Sequence, residues 1–242
     1  MIFSSSSGSR PAPLPRRTFL RVAGASAASV GLVLAGCGDD PPAPAAPANI
    51  LSFGSINPNP DVPILNYLLF IKQLQFAFYD KVVKAFPTDL TAAEQAHLRD
   101  LRDHELVQRQ VLANVLRGAA LPVAPFDFAS LTLTTRAGVL AAAQTLEDTG
   151  AGAFLGIIER LNNGDLVALA ARMASVEARH SALVRDLRAP GSFAGDEQND
   201  QIVTSTGLQA GQAVARTPEQ VKAVLAPFLP TLTISLDTLL QA

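Results

Sequence analysis

The chain has 242 residues, 48% of them hydrophobic and 17% charged, with 19 basic against 21 acidic side chains, no Trp and a single Cys. A chain of this length can bury one substantial core, and a lone Cys excludes any intrachain disulfide. With an acidic balance and no basic run, the sequence gives nucleic acid nothing to hold.

The first stretch reads as an address rather than as fold. Arg16 and Arg17 precede Thr18, Phe19 and Leu20 in a twin-arginine pattern, and an apolar run follows from Val22 to Ala35. That run is shorter than the ~20 residues a spanning helix needs and is rich in Ala, Gly and Ser, as a signal segment is. It ends in Leu34, Ala35, Gly36 and Cys37, which resembles a bacterial lipobox with Cys37 as the lipidated residue. The alternative for Cys37 is a buried thiol, but no core adjoins it in the sequence. Residues 1–37 are thus expected to be a lipoprotein-type signal peptide and residues 38–50 a Pro- and Ala-rich tether. Cleavage before Cys37 would remove four of the 19 basic residues and none of the 21 acidic ones, leaving a formal charge of −6. The expectation is export by the twin-arginine route to the periplasm or cell envelope. A lipid anchor would make the membrane a partner; Gly38 after the Cys favours the outer one, and Asp39 and Asp40 leave that open.

Residues 51–189 predict four amphipathic helices, because apolar residues recur at steps of three and four. The first, about 61–86, carries Leu65, Leu68, Lys72, Gln75, Tyr79, Val82 and Phe86 on one face. The second, about 92–117, carries Leu98, Leu101, Glu105, Gln108, Leu112 and Val115; Thr91 with Glu94 forms its capping box and Gly118 ends it. A long connection, 119–134, precedes the third, about 135–162, with Leu140, Ala143, Glu147, Gly150, Phe154, Ile157 and Leu161. The fourth, about 165–189, carries Leu166, Ala170, Met173, Glu177, His180, Val184 and Leu187 and stops at Pro190 and Gly191. Each stripe is apolar at its ends and polar in the middle, which predicts an all-α four-helix bundle with a polar layer at its waist. Residues 190–242 form a C-terminal loop, a short fifth helix capped by Thr217, Pro218, Glu219 and Gln220, and a tail packing on the bundle.

Glu147, the Glu177–His180 pair, His104–Glu105 and the capped C-terminal segment resemble the exported ferritin-like proteins that include bacterial desiccation-related proteins. The likeness runs over about residues 61–228. It implies a di-metal site drawing one Glu from each of two helices and a Glu-x-x-His pair from each of the others. Carried over, Glu105 and Glu177 would bridge the two ions, and Glu147 and His180 would complete one position. The other position calls for a Glu and a His where this chain has Lys72 and Gln108. A protonated Lys is no ligand and repels a neighbouring cation.

Three outcomes are open. Glu105, Glu147, Glu177 and His180 hold one ion, Fe, Mn or Zn; a full two-metal site forms despite Lys72 and Gln108; or no ion binds and Lys72 supplies the neutralising charge. In the metal-free case His180, Gln75, Gln108 and Tyr79 would satisfy the remaining hydrogen bonds. His104, about 100° around the helix from Glu105, braces the groups around the site or faces solvent, and Tyr79 and Gln75 flank the carboxylates. Glu94 and His97 also have the Glu-x-x-His spacing, but the cap explains Glu94. No catalytic residue is assigned. The expected role is a non-catalytic structural, binding or stress-related one in the envelope; the alternative is a metal-binding ferritin-like oxidoreductase or iron-handling protein.

Overall fold

The computed structural model describes residues 50–55, 58–193 and 213–242; the twin-arginine segment, Cys37, the tether up to residue 49 and most of the 190–216 loop lie outside them. Four long helices dominate: α1 (Asp61–Lys84), α2 (Ala92–Leu116), α3 (Arg136–Ile157) and α4 (Gly164–Arg188). A short α5 (Pro218–Leu225) and α6 (Asp237–Gln241) follow, and β1 (Ile50–Leu51) pairs in parallel with β2 (Thr233–Ile234).

Local chemistry fixes the helix ends. Thr91 and Glu94 form the expected capping box, and Thr217 and Gln220 form a second one at α5. Thr135 and Asn163 cap α3 and α4 through their side-chain oxygens. The end of α2 departs from expectation: the positive φ falls on Arg117, at 53°, and Gly118 lies in a 3-10 turn.

Cross-bundle bonds set the directions of the helices. Asn66, near the start of α1, donates to the Ala119 carbonyl and accepts from the Leu121 amide, so α1 and α2 run antiparallel. Arg136, opening α3, bonds Glu94 near the start of α2 and the Leu187 carbonyl at the end of α4. The buried Asp61 carboxylate accepts three bonds from Asn162 and Asn163 at the α3–α4 turn. One pole therefore gathers the starts of α1 and α4 with the ends of α2 and α3.

The predicted stripes are buried apart from Phe86, Leu166 and Leu187, which are half-buried near helix ends, and with one correction. Val115 is 40% exposed, and Leu116 takes the core position in its place. Four residues beyond Leu112 completes a helical turn better than three does at this end of the helix. α1 is buried almost all round, because the tail, β1 and the 119–128 connection cover the side that faces away from the bundle. Phe53 and Phe126 both pack on Phe70, and Phe128 packs on Phe78. Among the described residues no helix is long and apolar enough to cross a membrane.

Candidate carboxylate centre

Each long helix contributes to one buried polar layer: Lys72, Gln75 and Tyr79 from α1, Glu105 from α2, Glu147 from α3, and Glu177 and His180 from α4. The three carboxylates form a triangle with a nitrogen donor on each side. Lys72 Nζ lies 2.8 Å from Glu105 Oε2 and 2.5 Å from Glu177 Oε1. Gln75 Nε2 donates to Glu147 Oε2 at 3.1 Å and to Glu177 Oε2 at 3.0 Å. His180 Nδ1 donates to Glu105 Oε1 at 3.1 Å and lies 3.7 Å from Glu147 Oε2. The phenol of Tyr79 donates to the remaining oxygen, Glu147 Oε1, at 2.6 Å. Five of the six carboxylate oxygens thus accept a hydrogen bond from this chain, and the sixth, Glu177 Oε1, is held by the ion-pair contact with Lys72 without hydrogen-bond geometry.

Packing makes room for this arrangement. A Cβ on Gly150 would lie 2.5 Å from Gln75 Nε2 and 2.7 Å from Glu177 Oε2, so only glycine admits the Gln75 bridge. The Lys72 ammonium also sits 5.3 Å from the centre of the Phe154 ring, close enough for a cation–π contribution.

Buried charge shifts the titrations in linked directions. Burial pulls the Lys72 amine down, but Glu105, Glu177 and Glu147 outweigh it and hold the amine above its ordinary range. Burial likewise opposes the charged His180 ring, yet bonds to Glu105 and Glu147 raise it to about 10. Burial and the nearby Glu105 charge push the Glu177 carboxyl up against the pull of Lys72 and His180. Burial and Glu147 together drive the Tyr79 phenol far up. Two cations against three carboxylates leave one negative charge, in keeping with the upward push on the Glu177 carboxyl.

These shifts set a pH window. His180 stabilises the fold fully below its ordinary value of 6.5 and loses that contribution as pH climbs through about 10. A raised Glu177 acts in the same sense, since the folded state holds its proton more tightly. Thermal stability should therefore fall on the alkaline side, between about pH 6.5 and 10. A melting series with His180→Gln checks this: the variant should show a flatter profile, and an unchanged slope would assign the loss to other groups.

His104 is exposed, and its Nδ1 lies 3.0 Å from His180 Nε2. The rings are 14° from parallel with centroids 5.2 Å apart. That separation exceeds the nitrogen–nitrogen distance by only about one ring radius at each end, so the rings lie edge to edge rather than face to face. A doubly protonated His180 then donates from Nε2 to His104, which both braces it and meets solvent. Gln75 and Gln108 are both buried with a side-chain oxygen that meets no donor, and only Gln75 bonds the carboxylates through its amide nitrogen. His97 is half-buried and enters no such cluster. Glu94 does serve the cap, and it also pairs with Arg136, whose Nε lies 2.6 Å away and which helical spacing gives no means of finding.

A model of the ferritin-like domain matches residues 60–190, more than half of the chain. The chain belongs to the ferritin-like family. No curated protein matches it. The ferritin-like bundle keeps a buried Glu/His group that could hold a metal ion: Glu105, Glu147, Glu177 and His180 each bring one ligand atom, all within 4.8 Å of one another. The residues do not fit a two-ion ferritin-like centre, because the Lys72 ammonium sits between Glu105 and Glu177, the two carboxylates expected to bridge. They fit one ion at most, on the His180 side, once His180 Nδ1 gives up its proton.

Proposed function

We propose that this protein is an exported, lipid-anchored ferritin-like protein of the cell envelope, with a structural or stress-related rather than an oxidising role. The observation that carries the reading is that Lys72 forms ion pairs with two of the three carboxylates, while Lys72, Gln75, Tyr79 and His180 donate hydrogen bonds to five of the six carboxylate oxygens. Lysine then performs the charge balancing that ions perform in a two-metal centre. One position does not supply the paired ions that share electrons in oxygen or peroxide chemistry. The twin-arginine sequence and the lipobox-like ending at Cys37 support export and anchoring, and the resemblance to desiccation-related proteins supports an envelope-stress role.

A second reading rests on a separate observation. His180 Nδ1 lies 3.1, 3.7 and 3.6 Å from oxygens of Glu105, Glu147 and Glu177, spacings compatible with four groups sharing one Fe, Mn or Zn ion at bonds of about 2.0–2.2 Å. Such an ion would supply Lewis acidity at that position. Metal counting decides between the two. After anaerobic incubation with Fe(II) or Mn(II) and desalting, the chain is expected to retain no specific ion, with wild type and Glu177→Ala alike. One ion per chain, lost in Glu147→Ala, would establish the second reading, and two would overturn both. Lys72→Glu with Gln108→His should raise the count.

A further inference from the structure

The chain enters the bundle beside its own end. Ile50, the first described residue, lies in β1 opposite Thr233, and Leu51 lies opposite Ile234. β2 leads into α6, and Arg160, just before the α3–α4 turn, donates to the Leu240 and Ala242 carbonyls at 2.9 and 3.0 Å. Entry strand and chain end therefore meet at the pole formed by the α3–α4 turn and the start of α1. Two large apolar side chains there are left to solvent, Ile50 at 50% exposure and Leu240 at 47%. Neighbours from the same segments, Leu51, Ile234 and Leu239, are buried, so the outward pair is not a consequence of loose packing.

Only twelve residues, 38–49, separate Ile50 from Cys37. A Pro-rich segment spans about 3.1 Å per residue, so the tether reaches roughly 35–40 Å, about the length of one bundle helix. A lipid on Cys37 would hold this pole near a bilayer at a high effective concentration, where even a small apolar contact is populated.

We propose that the pole carrying Ile50 and Leu240 is a bilayer-contacting surface, laid against the lipid interface of the membrane that holds the chain. The inference rests on reading Cys37 as the anchor, and its occupant is phospholipid rather than a protein partner.

The sequence permits a clean test, because the chain has one Cys and no Trp. Full-length protein is coupled through Cys37 to a maleimide phospholipid in phosphatidylethanolamine/phosphatidylglycerol vesicles with brominated acyl chains. Ile50→Trp, Leu240→Trp and Phe193→Trp each supply a single reporter; Phe193 follows α4 beyond the opposite pole and is 68% exposed. Emission at positions 50 and 240 is expected to drop at least twofold and shift to the blue on coupling, while that at 193 holds. Unquenched emission at 50 and 240, or equal quenching at 193, would overturn the proposal. Chemical coupling makes the quenching independent of natural lipidation, which is read separately from the mass of the Cys37 peptide in membrane fractions. An unmodified Cys37 there would overturn the natural anchor, and with it the lipid-anchored function, whatever the quenching shows of the pole.

Discussion

Lys72→Met is expected to destabilise the protein by about 3–5 kcal/mol, the usual cost of removing one partner from a buried ion pair. Met fills most of the lysine volume, so the loss reports charge rather than a cavity. Without the ammonium, Glu105 and Glu177 face each other with His180 as the cation left in the layer, and desolvation of the carboxylates goes uncompensated. Two measurements make the result specific. Adding Glu105→Gln to Lys72→Met should recover part of the loss, because it removes one stranded charge. Melting in excess Mn(II) should also recover part, since an ion bound only by the folded state stabilises it. A Lys72→Met variant as stable as wild type in EDTA would show that lysine does not balance the centre.

Gly150→Ala is expected to cost about 2–4 kcal/mol, although alanine is favoured over glycine inside a helix by about 1 kcal/mol. The new methyl group would sit within 2.7 Å of both Gln75 Nε2 and Glu177 Oε2. Overpacking of this kind costs about 1–3 kcal/mol, and a displaced Gln75 leaves buried carboxylate oxygens short of a donor, at about 1–3 kcal/mol more. Urea denaturation checks the value. Stability within about 0.5 kcal/mol of wild type, the range of ordinary surface changes, would mean that the Gln75 bridge contributes nothing.

The waist of the bundle is legible in the sequence because its residues break apolar stripes at the same level of four helices. Spacing alone puts Lys72, Glu105, Glu147, Glu177 and His180 in one layer. What spacing does not give is the partner of each donor. Gln75 and Gln108 look equivalent on their stripes and each keeps an oxygen without a donor, yet only the amide nitrogen of Gln75 bridges two carboxylates. That difference depends on side-chain reach across the bundle, not on periodicity. The near-total burial of α1 has a visible signal in the apolar run Leu68–Leu69–Phe70–Ile71, which exceeds what one face requires. Its cover is made by residues far away in sequence, in two-residue strands and a five-residue helix too short to show a period. Val115 is misplaced by its stripe for a simpler reason: steps of three and four are degenerate at the end of a helix, and Leu116 is the one that reaches the core.

The parallel pair of β1 and β2 has a consequence for how the protein is made. Its two strands lie at opposite ends of the described chain, so the pairing has nearly the longest loop to close that these residues allow. The four helices can dock through nearer contacts, but β1 has no edge to join until residues 233–234 have left the ribosome. The entry segment is thus made before the helices and is among the last parts of the domain to be secured. Shortening the chain by its final ten residues would leave the helices with their own contacts and deprive the beginning of the domain of its strand partner.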